Sequence, residues 1–198
     1  KSTLHGPLMN DVIDGVALDK PLSMSWVYTQ RPNKVLNALY SISHAADKNL
    51  FKIALPNIHA PGLNVMYGDR EGNIAWWATA ALYELPSGIS SKFVLDGSTA
   101  AQEKIRFTDF SENPMSENPP WNYVYSANNA PLFPSGKTYP GYYLPENRAK
   151  RIVTLLDSKS DWDKSSVSEM ILDHTSSVNA EIIADFNSAL KEDSSFIT

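Results

Sequence analysis

No cysteine occurs among the 198 residues, which excludes disulfides, thiolate nucleophiles and Cys-ligated zinc and leaves the redox compartment open. No apolar run approaches the ~20 residues that cross a bilayer, and the first residues do not have the basic-then-apolar form of a secretory signal. Charge is modest: 17 Lys and Arg stand against 22 Asp and Glu, and the scattered net charge of −5 argues against a nucleic-acid partner. Internal repeats, low-complexity tracts and a G-x-S-x-G nucleophile motif are also missing. What is present is ordinary globular composition, 42% hydrophobic and 20% charged, in a chain long enough to bury a core as one domain.

Lys1-Ser2-Thr3-Leu4 has the form of a strand already under way, running into a His5-Gly6-Pro7 turn, so the expectation is a piece of something longer. Residues 11–17 and 23–29 read as two short strands, the second with Trp26 and Tyr28 on one face. After Arg31-Pro32-Asn33 the period becomes helical: Val35, Leu39, Ile42 and Ala46 form one stripe of residues 33–48, with Asn33 as N-cap and His44 as a surface or packing residue. A shorter helix over 50–55 stops at Pro56. Residues 61–67 and 73–79 predict a hairpin around Gly68-Asp69-Arg70-Glu71-Gly72, a turn without the glycine spacing and distal Glu of an EF-hand. Residues 84–120, rich in Ser, Asn, Pro and Gly, read as a covering loop with one strand at 104–107.

A strand with Trp121, Tyr123 and Tyr125 on one face comes next, followed by a Gly- and Pro-marked loop over 134–145. A helix over 145–156 should turn Ala149, Ile152, Val153 and Leu156 inward. Ser166 with Glu169 predicts a capping box for a third helix ending near Asp173, and Val178, Ile182, Phe186 and Leu190 mark a fourth.

Between these pieces stand two adjacent amides, Asn128-Asn129, which end the aromatic strand because Asn suits strands poorly and Pro131 stops its regular continuation. The residues alone allow either a turn held by Asx hydrogen bonds or a carboxamide aimed into a cleft, where Asn128 offers an N–H to a developing oxyanion. Arg148 lies in the first turn of the following helix, an unfavourable place for a cation beside the helix dipole, so it must answer another partner.

Together these segments resemble the penicillin acylase (penicillin amidase) family of N-terminal-nucleophile hydrolases. The matching runs stand in family order: Leu4-His5-Gly6-Pro7, Pro61-Gly62-Leu63-Asn64-Val65-Met66-Tyr67, Asp69-x-x-Gly72-Asn73-Ile74, Asn118-Pro119-Pro120, Ala127-Asn128-Asn129-Ala130-Pro131, Arg148-Ala149-x-x-Arg151-Ile152 and Ile171-Leu172-Asp173. The resemblance implies an α+β fold, part of an αββα sandwich of antiparallel sheets and flanking helices, with residues 1–198 a single-domain internal portion of the β subunit. It implies hydrolysis of a linear amide, the acyl group leaving a penicillin-like, cephalosporin-like or acyl-homoserine lactone substrate. The partners implied are that small-molecule amide and the remaining α- and β-subunit segments, in a periplasmic or extracellular setting.

In the family a processed Ser attacks the amide carbonyl while its own α-amino group, with an ordinary pKa of roughly 7.7 to 8.0, manages the proton. Here Ser2 follows Lys1 through a peptide bond and is not assigned as nucleophile; the nucleophile is expected outside these residues. By motif, Asn128 looks like the side-chain oxyanion donor and Arg148 like the arginine that holds the catalytic arrangement. No cofactor is implied. A structural calcium is common in the family, but no acidic residue lies between Pro131 and Leu144 to match an expected ligand, and no metal ligand is assigned. The reading turns on the Asn128 carboxamide and the Arg148 guanidinium meeting in one polar pocket. Two other classes stand beside it: a non-catalytic module using its 11% aromatic residues to stack sugars or peptides, and a hydrolase built on His5, His59 or His174.

Overall fold

A computed structural model describes residues 1–10, 12, 20–131 and 139–192 and divides the chain into two units, each taken by itself. The first comprises Lys1–Val124 and Phe133–Tyr142, the second Tyr125–Leu132 and Tyr143–Thr198.

In the first unit β1 (Ser2–Thr3) and β2 (Gly6–Pro7) pair antiparallel, so Gly6-Pro7 forms the return strand and the turn falls on Leu4-His5, one step earlier than expected. A Cβ on Gly6, whose φ is +137°, would lie 2.0 Å from the Met24 carbonyl oxygen, which leaves no room for another residue. The strand expected over 23–29 is not formed. Ser23 alone makes a bridge, to Leu8, and Trp26 instead uses its carbonyl to accept both Thr29 N (3.0 Å) and Thr29 Oγ1 (2.8 Å), which closes the helical turn α1 (Val27–Gln30). The strand expected over 11–17 falls outside the described residues except for Val12.

Two helices follow, one shorter than the helix expected over 33–48 and one where a short helix was expected. The first, α2 (Val35–Ser43), has its first N–H met by Asn33 Oδ1 at 3.1 Å; it ends at His44, whose Nδ1 meets the Tyr40 carbonyl oxygen at 2.8 Å. Asp47 then starts α3 (Lys48–Ala54), the short helix expected over 50–55, by accepting Leu50 N at 2.8 Å, so an N-cap stands where the stripe of the first helix was expected to run on. The buried side of α2 is Val35, Ala38 and Ile42, with Leu39 half exposed. Pro56 sits in the 3₁₀ turn Leu55–Asn57 that follows α3.

The hairpin is as predicted: β3 (Leu63–Gly68) pairs antiparallel with β4 (Ile74–Thr79) from Leu63↔Thr79 to Gly68↔Ile74. Alternation along β4 buries Ala75, Trp77 and Thr79 on one face. In the covering segment β5 (Tyr83–Glu84) pairs with β6 (Arg106–Phe107), so the strand expected at 104–107 is reduced to its last two residues. A strand without a sequence signal, β7 (Met115–Glu117), adds to the free edge of β4, and Asn118 terminates it with φ 45° while its Oδ1 accepts Ile74 N at 2.9 Å. The strand expected around Trp121, Tyr123 and Tyr125 pairs with no described strand; Asn122, with φ 61°, turns the backbone out of the extended region.

Trp77 lies at the centre of the core with Leu55, Ile58, Ala38 and Ala75, and the Phe51 and Tyr67 rings pack against it. Glu117 ties α3 to β7, accepting from Lys52 Nζ at 2.5 Å and from the Trp77 indole N–H at 3.2 Å.

In the second unit α4 (Asn147–Leu156) buries Ala149 and half-buries Ile152, Val153 and Leu156, the predicted inward face. Next, α5 (Lys164–Leu172) is opened by a capping box of Asp163 and Ser166, not of Ser166 and Glu169: Asp163 Oδ1 accepts Ser166 N (2.8 Å) and Ser166 Oγ accepts Asp163 N (2.9 Å). Asp caps as well as Ser and stands one turn earlier, so the helix begins there. Last, α6 (Ser177–Glu192) half-buries Val178 and Leu190 but leaves Ile182 and Phe186 exposed.

Replacing Trp77 by Ala removes a fully buried indole and a donor to Glu117, with an expected loss of roughly 3–5 kcal/mol in urea unfolding. A loss below about 1 kcal/mol would mean that Trp77 is not the centre of the core.

Candidate functional site

Asn128 adopts the left-handed region, with φ 60°, which Asn tolerates better than most side chains. Short polar contacts surround it: Asn129 Oδ1 accepts Ala127 N at 3.3 Å, Ser126 Oγ accepts Asn128 N at 3.5 Å, and the Asn128 carbonyl accepts Leu144 N at 2.7 Å. The last bond belongs to a parallel bridge between Asn129 and Leu144, which delivers the chain to the start of α4. The Asx contacts of the turn reading are therefore present, and they are carried by Asn129.

Arg148, the second residue of α4, reaches back to this turn. Its Nη2 donates to the Ala127 carbonyl oxygen at 2.6 Å and to Asn128 Oδ1 at 3.0 Å, so the two residues picked out in the sequence are in direct contact. A guanidinium has only donors, and this fixes which way the carboxamide faces: Oδ1 towards Arg148, Nδ2 away. Among the described residues Nδ2 of Asn128 has no hydrogen-bond partner. Both residues are exposed, so the contact lies at the surface of the second unit rather than in an enclosed pocket.

A second arginine on the same helix has a partner that sequence reasoning did not assign. Arg151 grips Asp173, the C-cap of α5, with Nε to Oδ1 at 2.9 Å and Nη2 to Oδ2 at 2.6 Å. The two Arg151 hydrogen bonds, outweighing burial and helped by Thr175 N at 3.1 Å, hold the Asp173 carboxyl down to about 2. Two arginines spaced i, i+3 on one helix face were the available signal.

The histidines are placed elsewhere. His5 Nε2 lies 3.1 Å from the Gly97 carbonyl oxygen and 3.8 Å from Glu103 Oε1, His59 Nδ1 3.0 Å from the Pro32 carbonyl oxygen and His174 Nδ1 3.3 Å from that of Leu172, and these partners include no serine hydroxyl. Ser2 belongs to β1, where its Oγ donates to the Thr3 carbonyl at 3.4 Å. For calcium the fit is poor among the described residues: no three His, Asp or Glu side chains gather, and the Asp69 carboxylate is taken by Tyr67 OH, Glu71 N, Asn73 N and Asn73 Nδ2.

The sequence model of the penicillin amidase family matches residues 1–196. The chain belongs to that family. A solved structure, a thermostable penicillin G acylase from Alcaligenes faecalis, matches it with a TM-score of 0.67 and 22% identity, over 85% of this chain and 30% of that one. At that identity the likeness concerns the fold, and the α+β expectation is met by a penicillin acylase fold. The chain spans about 30% of the length of the acylase chain it matches.

An unfolded Asp titrates near 3.9, so the folded state takes up the Asp173 proton less readily, and the stability contributed by the ion pair is complete above about pH 4 and lost as pH falls towards about 2. The urea midpoint of the parent chain should exceed that of Asp173→Asn by a constant amount near neutrality, and the gap should close at the acid end. A gap that persists at pH 2 would mean that the difference does not come from this carboxylate.

Proposed function

We propose that the chain is a portion of an amide hydrolase of acylase type, and that Asn128 supplies the side-chain donor to its oxyanion. When a nucleophile attacks the acyl carbon of an amide, the carbonyl oxygen takes up negative charge. A preorganised N–H placed there stabilises the transition state more than the ground state. The observation that carries this reading is the contact between Arg148 Nη2 and Asn128 Oδ1, which commits the carboxamide oxygen to the guanidinium and leaves Nδ2–H to donate elsewhere. Arg148 then acts as a positioning residue, holding the amide against rotation and adding positive potential beside the developing charge.

The nucleophile, its amine base and a backbone donor would come from other segments of the parent enzyme, with which this portion assembles. The substrate class follows the family: an acyl group released from the nitrogen of a penicillin-like, cephalosporin-like or acyl-homoserine lactone nucleus.

In the full-length polypeptide that contains this chain, Asn128→Gly retains the left-handed backbone and removes only the amide; its kcat should fall ~100- to 1,000-fold with little change in KM. Unchanged kcat would reject Asn128 as the donor. Residues 1–198 alone should show no hydrolysis of phenylacetyl amides or acyl-homoserine lactones. Turnover that disappears in Ser2→Ala would instead place the nucleophile within them.

A further inference from the structure

The oxyanion reading makes the position of one guanidinium critical, and the structure indicates what holds it. Arg148 and Arg151 are three residues apart on α4, on the same side of the helix. Arg148 reaches the Asn128 turn; Arg151 reaches the end of α5. The Arg151–Asp173 contact is bidentate, planar fork on carboxylate, and its side chains are only 28% and 18% exposed. Asp173 cannot swing freely, because Oδ1 also accepts Thr175 N, so the pair ties α4 to the end of α5 with directional bonds. The neighbouring ion pair, Lys150 with Glu146 at 3.9 Å, joins α4 only to its own N-cap residue and cannot orient it against another element.

We propose that Arg151 and Asp173 are positioning residues for oxyanion stabilisation: their ion pair sets the rotation of α4 and thereby keeps the Arg148 guanidinium on the Ala127 carbonyl and Asn128 Oδ1. This rests on the assignment of Asn128 as donor. The contacts of Arg148, at 2.6 and 3.0 Å, tolerate little movement before they weaken. With α4 free to roll, Arg148 leaves the amide, and the Asn128 side chain can turn so that Nδ2 no longer faces the oxyanion.

The test is a double-mutant cycle in the full-length polypeptide, measured in the buffered neutral range. Asp173→Asn should lower kcat about ten- to a hundredfold with KM unchanged, and Arg151→Lys, which keeps the charge but loses the fork, should lower it less. Lys150→Gln should leave kcat unchanged. In the Asn128→Gly background Asp173→Asn should cost nothing further, because the group it positions is gone. Losses that multiply across the two sites, or full kcat in Asp173→Asn, overturn the positioning role while leaving Asn128 as donor. Full kcat in Asn128→Gly overturns the donor assignment instead. Should Asp173→Asn fail to fold, Arg151→Lys carries the same cycle to the same decision.

Discussion

A single guanidinium nitrogen, Nη2 of Arg148, closes the turn at Ala127 and Asn128, and the geometry of the candidate site depends on it. Its two protons satisfy two acceptors. One is the carbonyl of Ala127, a residue 2% exposed, where an unmet acceptor would cost about 1–3 kcal/mol. Against this, a cation in the first turn of a helix is opposed by the helix dipole by ~0.3–1 kcal/mol. The first figure is the larger, so a residue that looks misplaced when α4 is considered alone is well placed once the turn before it is included.

Why Asn occupies position 128 follows from two demands made on one residue. The backbone there has φ 60°, which Gly or Asn accepts at low cost and a β-branched residue does not. On the proposed role the side chain accepts from Arg148 and presents donors in the opposite direction, which a carboxamide does and a carboxylate cannot. Glycine meets the first demand and aspartate part of the second; asparagine meets both. The following Asn129 serves the turn itself, through Ala127 N and the Ala130 carbonyl, so the adjacent amides have separate tasks.

The two ends of this contact were legible in the sequence because each breaks a local rule: paired amides at the end of an apolar run, and an arginine at the amino end of a helix. The β3–β4 hairpin was legible because its turn residues and alternation agree. Strand β7 was not, since three residues flanked by Pro114 and Asn118 carry no period, and their strand character comes entirely from the open edge of β4. Residues 121–127 mislead in the opposite direction. They alternate like a strand but form no ladder with a described strand, and alternation describes which faces a chain could offer, not which edge receives it. The Asp163 cap was missed because the Ser166/Glu169 pattern also fits the rule, and only the hydrogen bonds decide between registers one turn apart. The grip of Arg151 on Asp173 spans 22 residues, so the paired arginines on α4 could signal a partner for Arg151 without identifying it.

Each unit has its own kind of internal bonding, and the difference bears on the candidate site. The first buries Trp77, Leu55 and Ile58, large side chains whose removal from water supplies stability but little direction. In the second, the buried residues of its described part are small, Ala127, Ala149 and Ser166, and charge-assisted hydrogen bonds join α4 to the turn before it and to the end of α5. Apolar burial is non-directional, whereas a bidentate Arg–carboxylate pair adds geometric specificity. A donor that must meet an oxygen at about 2.7–3.1 Å needs that second kind of constraint, because aim, more than bulk stability, limits how much a hydrogen bond can lower a barrier.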